Sequence, residues 1–159
     1  MTLEEKNNIY EILVSQVKEI IKDEPDVIAN MANISSILYN GLKDVNWAGF
    51  YIWKKDQLVL GPFQGKPACI RIPKGKGVCG TAVLKKESQI VENVHNFPGH
   101  IACDSASNSE IVIPIIKEEK VLGVLDIDSP NYNRFDEIDE KFLKVVVALL
   151  LKECKWDNE

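Results

Sequence analysis

Apolar residues recur at helical spacing at both ends of this chain and at strand spacing between them. That change of period leaves few ways to bury both patterns. At the start, Thr2 and Glu5 have capping-box spacing. Ile9, Leu13, Val17, Ile20 and Ile21 then form one stripe, predicting a helix that ends near Lys22. Pro25 suits a first helical position and Gly41 a position just past a helix end. Between them lie Ile28, Met31, Ala32, Ser35, Leu38 and Tyr39, so a second, antiparallel helix is expected. At the far end Asp136 opens a last helix, with Ile138, Phe142, Val145, Val146, Leu149 and Leu150 as its stripe.

The middle of the chain alternates. In Val45–Trp53, the residues Trp47, Gly49, Tyr51 and Trp53 line one face of a strand, and Ala48, Phe50 and Ile52 the other. Leu58–Leu60, Cys69–Ile72 and Ser88–Val91 read as further strands, with a short helix at Gly77–Leu84. Glu110–Lys117 and Lys120–Asp128 read as a hairpin about a tight turn. The order predicts an α+β fold: an antiparallel sheet with the N- and C-terminal helices packed on one face. One domain is expected over 1–159, since no repeat or linker interrupts the pattern.

Charge narrows the partners. A net charge of −5 repels phosphate backbones, so nucleic acid is a poor partner. No apolar run approaches the roughly 20 residues that span a bilayer, and the acidic N-terminal segment has no signal-peptide core. A cytoplasmic location is therefore expected. There, the four cysteines Cys69, Cys79, Cys103 and Cys154 read as free, catalytic or metal-bound thiols rather than structural disulfides.

Residues 92–108 carry Pro98-Gly99, both histidines and Cys103, with Val94, Phe97 and Ile101 as apolar anchors. A loop of this length is usually functional or disordered. A thiol of ordinary pKa is only about 3% thiolate at neutral pH, so a reactive one needs a nearby cation. His100, Arg71, Lys74 and Lys76 are the candidates. Cys103, in a polar loop, favours function, and Cys154, at a helix end, favours burial; Cys69 and Cys79 fit either.

Asp126 and Asp128 are two apart on one strand and share a face, and Glu110 opens the partner strand. Carboxylates in an apolar sheet are costly unless paired. The trio suits a ligand ammonium or a proton donor, unless it lies at frayed strand ends in water. Trp47 and Tyr51 share a face, for which core packing is the simpler reading. The segment Pro73–Gly80 lacks the P-loop pattern. His95, His100 and Cys103 offer metal-binding types, but H-x4-H-x2-C matches no common zinc spacing, and no metal or other cofactor is expected.

Several stretches together resemble one family. They are Trp47-Ala48-Gly49-Phe50-Tyr51, Leu60-Gly61-Pro62-Phe63-Gln64-Gly65 with Ala68-Cys69, and Gly77-Val78-Cys79-Gly80-Thr81. Phe97-Pro98-Gly99-His100-Ile101-Ala102-Cys103-Asp104, Ser109-Glu110-Ile111-Val112 and Gly123-Val124-Leu125-Asp126-Ile127-Asp128-Ser129 complete them. In this order they are similar to the free methionine-(R)-sulfoxide reductases, a stand-alone GAF-domain family. The departures are Asn93 in place of an acidic residue and a 117–120 turn without glycine.

The resemblance implies a GAF-like sheet and the reduction of free methionine-(R)-sulfoxide. It implies that Cys103 is the nucleophile, that Cys69 resolves its sulfenic acid as a disulfide, and that Cys79 assists. It implies that Glu110, Asp126 and Asp128 hold the substrate amine and help to protonate its oxygen, with Trp47 and Tyr51 around the methyl sulfoxide. Thioredoxin as reductant and a homodimer are implied likewise. The alternative is a non-catalytic GAF module binding a small ligand. Asn133-Arg134-Phe135-Asp136-Glu137 favours it by resembling a motif of cyclic-nucleotide-binding GAF domains.

Overall fold

A computed structural model describes residues 1–101, 103 and 106–156. Helices α1 (Leu3–Ile21) and α2 (Val27–Gly41) precede strands β1 (Trp47–Lys54), β2 (Gln57–Gly65) and β3 (Arg71–Pro73). Helix α3 (Gly77–Lys85), strands β4 (Gln89–Val91), β5 (Ser109–Lys117) and β6 (Lys120–Ser129), and helix α4 (Glu137–Glu153) follow. The six strands form one sheet in the order β3-β2-β1-β6-β5-β4, antiparallel throughout.

The sheet separates two cores. On one face Ala48, Phe50, Ile111, Ile113, Leu125 and Ile127 pack against the buried sides of α1, α2 and α4. The opposite parity, Trp47, Tyr51, Val112 and Val124, packs with Val78, Cys79 and Val83 of α3 and with Val94 of the following loop. The terminal helices thus share one face as expected, while α3 and the 94–101 segment cover the other. The site lies under this second layer.

The helix ends follow their caps. The Thr2–Glu5 capping box starts α1, and Lys22 caps its end. Asp26, not Pro25, starts α2: its carboxylate accepts from Ala29 N, leaving Pro25 outside the helix. Gly41 is the last residue of α2 rather than the one beyond it. A Cβ there would lie 2.2 Å from a Leu13 methyl, so close approach of α1 sets that residue. β2 runs through Gly61-Pro62, with a register shift against β1 between Gly49 and Tyr51. The β5–β6 turn needs no glycine because Glu118 and Glu119 adopt positive φ, 51° and 68°.

The predicted stripes of α1, α2 and α4 depart from the structure at single positions. Val145, Ile20 and Ile28 are exposed, while α4 buries Asp139, Leu143, Val146, Val147 and Leu150. The fully buried Asp139 carboxylate meets the Lys6 ammonium, the Tyr10 hydroxyl and the Arg134 guanidinium, 3.3 Å away. Lys6 and Tyr10 are buried on α1, so this cluster ties α1 to the first turn of α4.

Candidate active site

Register builds the floor of the site. Across the three central strands, Glu110 of β5 lies opposite Asp128 of β6, which lies opposite Trp47 of β1. Two pairs further, on the same face of the sheet, Val112 faces Asp126, which faces Gly49. The three carboxylates therefore converge on the face covered by α3. Like charges directly opposite each other destabilise a sheet, so strand pairing does not account for them. Glu110 and Asp126 are not at frayed ends in water either, being 8% and 5% exposed, and Asp128 is half-buried.

Burial raises the Glu110 pKa well above the usual carboxyl range, and the charges of Asp126 and Asp128 add to the rise. Burial also raises Asp126, against hydrogen bonds from Glu110, Cys79 and Asp128. The cluster therefore retains a proton where isolated carboxyls have lost theirs. The Cys79 thiol, from the first turn of α3, lies 3.9 Å from Glu110 Oε2. Burial, then the charge of Asp126, pushes its pKa up and keeps it protonated. This cysteine is buried, as one of the two readings of its sequence position held.

Cys69 and Cys103 form a disulfide across 34 positions, with a Cα–Cα distance of 5.4 Å. Cys69 lies just before β3 rather than within it. The residues around Cys69 are held by the two predicted aromatics. Tyr51 Oη donates to the Cys69 carbonyl at 2.8 Å, and Trp47 Nε1 donates to the Lys66 carbonyl at 3.2 Å. Their rings are 5.9 Å apart, and Trp47 also stacks on Phe63 at 5.1 Å. Both therefore wall the cavity and tether the Cys69 loop.

On the other side, Val94 is fully buried, and Phe97 and Ile101 pack on the same core, as the anchors predict. Gly99 has φ +75°, and its carbonyl accepts from Gly77 N at 3.1 Å, joining the loop to the start of α3. Ala102 and Asp104 lie outside the described residues.

The cavity is small, about 40 Å³, and partly open to solvent. Trp47, Tyr51, Cys79, Cys103, Glu110, Asp126 and Asp128 all line it; Cys69 reaches it through its bond to Cys103. Of the four cations considered for the thiolate, His100 and Lys76 line it, and Arg71 and Lys74 do not. Burial, and then the neighbouring His95, lower the His100 pKa, which disfavours its charged form. Pro67, Gly77 and Ser107 also line the cavity, and nothing in their sequence context signals it.

His95, His100 and Cys103 do not form a metal set. His95 Nε2 bonds Asn108 Oδ1 at 2.8 Å, and Cys103 is in the disulfide. Among the described residues, the group suited to a cation is Cys79, Glu110 and Asp126. The 133–137 motif is occupied structurally. Asp136 caps α4 and pairs with Lys6 at 3.0 Å, and Arg134 Nε donates to the Lys43 carbonyl at 2.9 Å.

Comparison with known proteins agrees with this architecture. Residues 29–150 match the family model described as GAF domain. Protein YtsP of Bacillus subtilis is 59% identical over 93% of this chain and 92% of its own length. The free methionine-R-sulfoxide reductase of Escherichia coli is 52% identical over 92% of this chain and 89% of its own. The fRMsr of Staphylococcus aureus, solved in complex with substrate, superposes with a TM-score of 0.88 at 49% identity, covering 92% of this chain and 95% of that one. This chain belongs to the GAF domain family and, within it, to the free methionine-R-sulfoxide reductases.

Proposed function

We propose that this protein reduces free methionine-(R)-sulfoxide to methionine, with Cys103 as nucleophile and Cys69 as resolving thiol. One observation carries the reading: the disulfide between these two cysteines closes over a cavity floored by three carboxyl groups, two of which, Glu110 and Asp126, have their pKa raised by burial.

The chemistry follows from the geometry. The Cys103 thiolate attacks the sulfoxide sulfur while Glu110 protonates the oxygen, which is a poor leaving group until protonated. The S–O bond breaks and its oxygen leaves as hydroxide, so Cys103 is bonded to the methionine sulfur as a sulfonium. Water then attacks the Cys103 sulfur, the S–S bond breaks with methionine as the leaving group, and Cys103 becomes a sulfenic acid. The Cys69 thiol displaces water from it and forms the disulfide seen here. An external dithiol, thioredoxin in this reading, then takes up the two oxidising equivalents. Exposed Ile70, beside Cys69, offers it an apolar contact. Cys79, held neutral, assists through its place beside Glu110.

Asp126, Asp128 and the ionised fraction of Glu110 receive the substrate ammonium. A methionine within a peptide lacks that ammonium, which accounts for a preference for the free amino acid. Trp47 and Tyr51 enclose the methyl sulfoxide. A cavity of about 40 Å³ holds water but not an amino acid. Substrate therefore enters once the disulfide is reduced and the loop bearing Cys103 swings away.

The reading includes a cytoplasmic location, where a disulfide persists as part of a catalytic cycle. No helix among the described residues is long and apolar enough to cross a membrane. It also includes a homodimer, for which the exposed Ile12 and Ile20 of α1 leave apolar surface.

The test is a coupled assay with thioredoxin, its reductase, NADPH and racemic free methionine sulfoxide. NADPH consumption should stop when half the sulfoxide is gone, and Cys103→Ser should consume none. Cys69→Ser should release one methionine per chain and then stall. A protein that binds the sulfoxide without consuming NADPH would instead be a ligand-binding module.

A further inference from the structure

Cys79 is a buried thiol that the redox cycle does not oxidise in this structure, and it belongs to a ligand set of its own. Its Sγ, a Glu110 oxygen and an Asp126 oxygen all lie within 4.8 Å of one another. All three residues are buried. Asp126 Oδ1 is buried and accepts no hydrogen bond among the described residues. Leaving such an acceptor unpaired is costly, so the position favours a cation or a strong donor.

We propose that Cys79, Glu110 and Asp126 form a binding site for a thiophilic divalent cation, with zinc as the natural occupant and cadmium as its spectroscopic stand-in. The donor set, one thiolate and two carboxylates, suits zinc and cadmium. Magnesium and calcium take all-oxygen shells with more ligands.

The dimensions fit. Zinc bonds of about 2.3 Å to sulfur and 2.0–2.2 Å to oxygen set neighbouring ligand atoms roughly 3.5 Å apart. The Cys79 Sγ–Glu110 Oε2 separation is 3.9 Å, so a few tenths of an ångström of closure suffice there. Binding needs no electron transfer. The Cys79 S–H bond and any carboxyl O–H bonds give their protons to solvent as the metal bonds form. The fourth position faces the cavity, which has room for one water.

A bound cation occupies the carboxylates that would otherwise receive the substrate ammonium, so zinc inhibits the reductase. Inhibition rests on the proposed function; binding does not.

The test uses the Cys69→Ser/Cys103→Ser/Cys154→Ser variant, in which Cys79 is the one remaining thiol. Titration with cadmium chloride should produce an ultraviolet cadmium–thiolate charge-transfer band that saturates at one equivalent per chain. Adding Asp126→Asn should weaken cadmium binding more than about tenfold, a loss no smaller than those known for second-shell changes at metal sites. In parallel, the native disulfide form should take up one zinc by calorimetry, and Cys79→Ser, checked for an unchanged melting temperature, should not. A folded triple variant with no band, or a zinc isotherm unchanged in Cys79→Ser, overturns the proposal. Neither result bears on whether the protein reduces methionine sulfoxide.

Discussion

The Tyr51 hydroxyl donates a 2.8 Å hydrogen bond to the carbonyl oxygen of Cys69, joining a central strand of the sheet to one half of the disulfide. Tyr51 is buried, and its own pKa is raised by burial and then by Asp126, so it stays a donor throughout the accessible pH range. Tyr51→Phe keeps the ring and removes the tether. A lost neutral hydrogen bond is worth about 1 kcal/mol, or roughly fivefold in a rate. Closure of the Cys69–Cys103 disulfide after one equivalent of sulfoxide should slow by about that factor, while the melting temperature moves little. Acid quench followed by thiol counting measures it, and an unchanged rate would remove the positioning role.

Glu110 makes stability and activity depend on pH in the same direction. Its folded pKa lies above its unfolded value, so between the two the folded state binds more protons than the unfolded one. The contribution is complete below the ordinary carboxyl range and is lost as pH rises through the raised folded value. Turnover that needs the protonated acid falls over the same interval. Glu110→Gln should flatten the alkaline decline of the melting temperature while abolishing most activity. Each unit of pKa shift corresponds to about 1.4 kcal/mol, so the gain at alkaline pH should be measurable. Parallel melting curves for both proteins from about pH 5 to about pH 9 would rule out Glu110 as the shifted group.

Asp139 should be the most damaging polar position outside the site. Removing it leaves the Lys6 charge buried and only partly compensated by Asp136, with Tyr10 and Arg134 each losing a partner. Breaking a buried pair in this way costs about 3–5 kcal/mol. Asp139→Ala should lower the urea midpoint accordingly. Replacing Lys6 by Met in the same chain should recover part of the loss, since the stranded charge then disappears. No recovery would mean that packing, not charge, dominates there.

Gly99 isolates backbone conformation from space. A Cβ at this position would meet nothing within 4 Å, yet φ is +75°. Gly99→Ala should therefore cost about 1–2 kcal/mol through the left-handed backbone alone. Because that conformation belongs to the disulfide-bonded form described here, the variant's disulfide should reduce more readily against a glutathione buffer. A wild-type redox equilibrium in Gly99→Ala would show that the loop keeps one backbone conformation through the cycle.

Some of this protein is legible in one dimension. Alternation in 47–53 sorts Trp47 and Tyr51 from Ala48 and Phe50, because side chains on a strand must alternate, and both cores obey that parity. The same rule puts Asp126 and Asp128 on one face. The Thr2–Glu5 pair marks a helix start because both partners lie within one turn, and Asp136 opens the last helix as expected. The anchoring of the long loop by Val94, Phe97 and Ile101 follows from their being its apolar residues.

What only the tertiary structure decided has one physical cause: interactions between residues far apart in the chain leave no periodic trace. The β5–β6 register sets Glu110 opposite Asp128, and the Tyr51 and Trp47 tethers reach forward to the Cys69 loop. Spacing alone does not pair Cys69 with Cys103 across 34 positions; family resemblance suggested the pairing and folding brings the two together. The buried carboxylate of Asp139 also gathers Lys6, Tyr10 and Arg134, a meeting that no apolar stripe signals. Local pattern thus determined which elements form and which faces are apolar. Long-range charge and register decided which side chains meet.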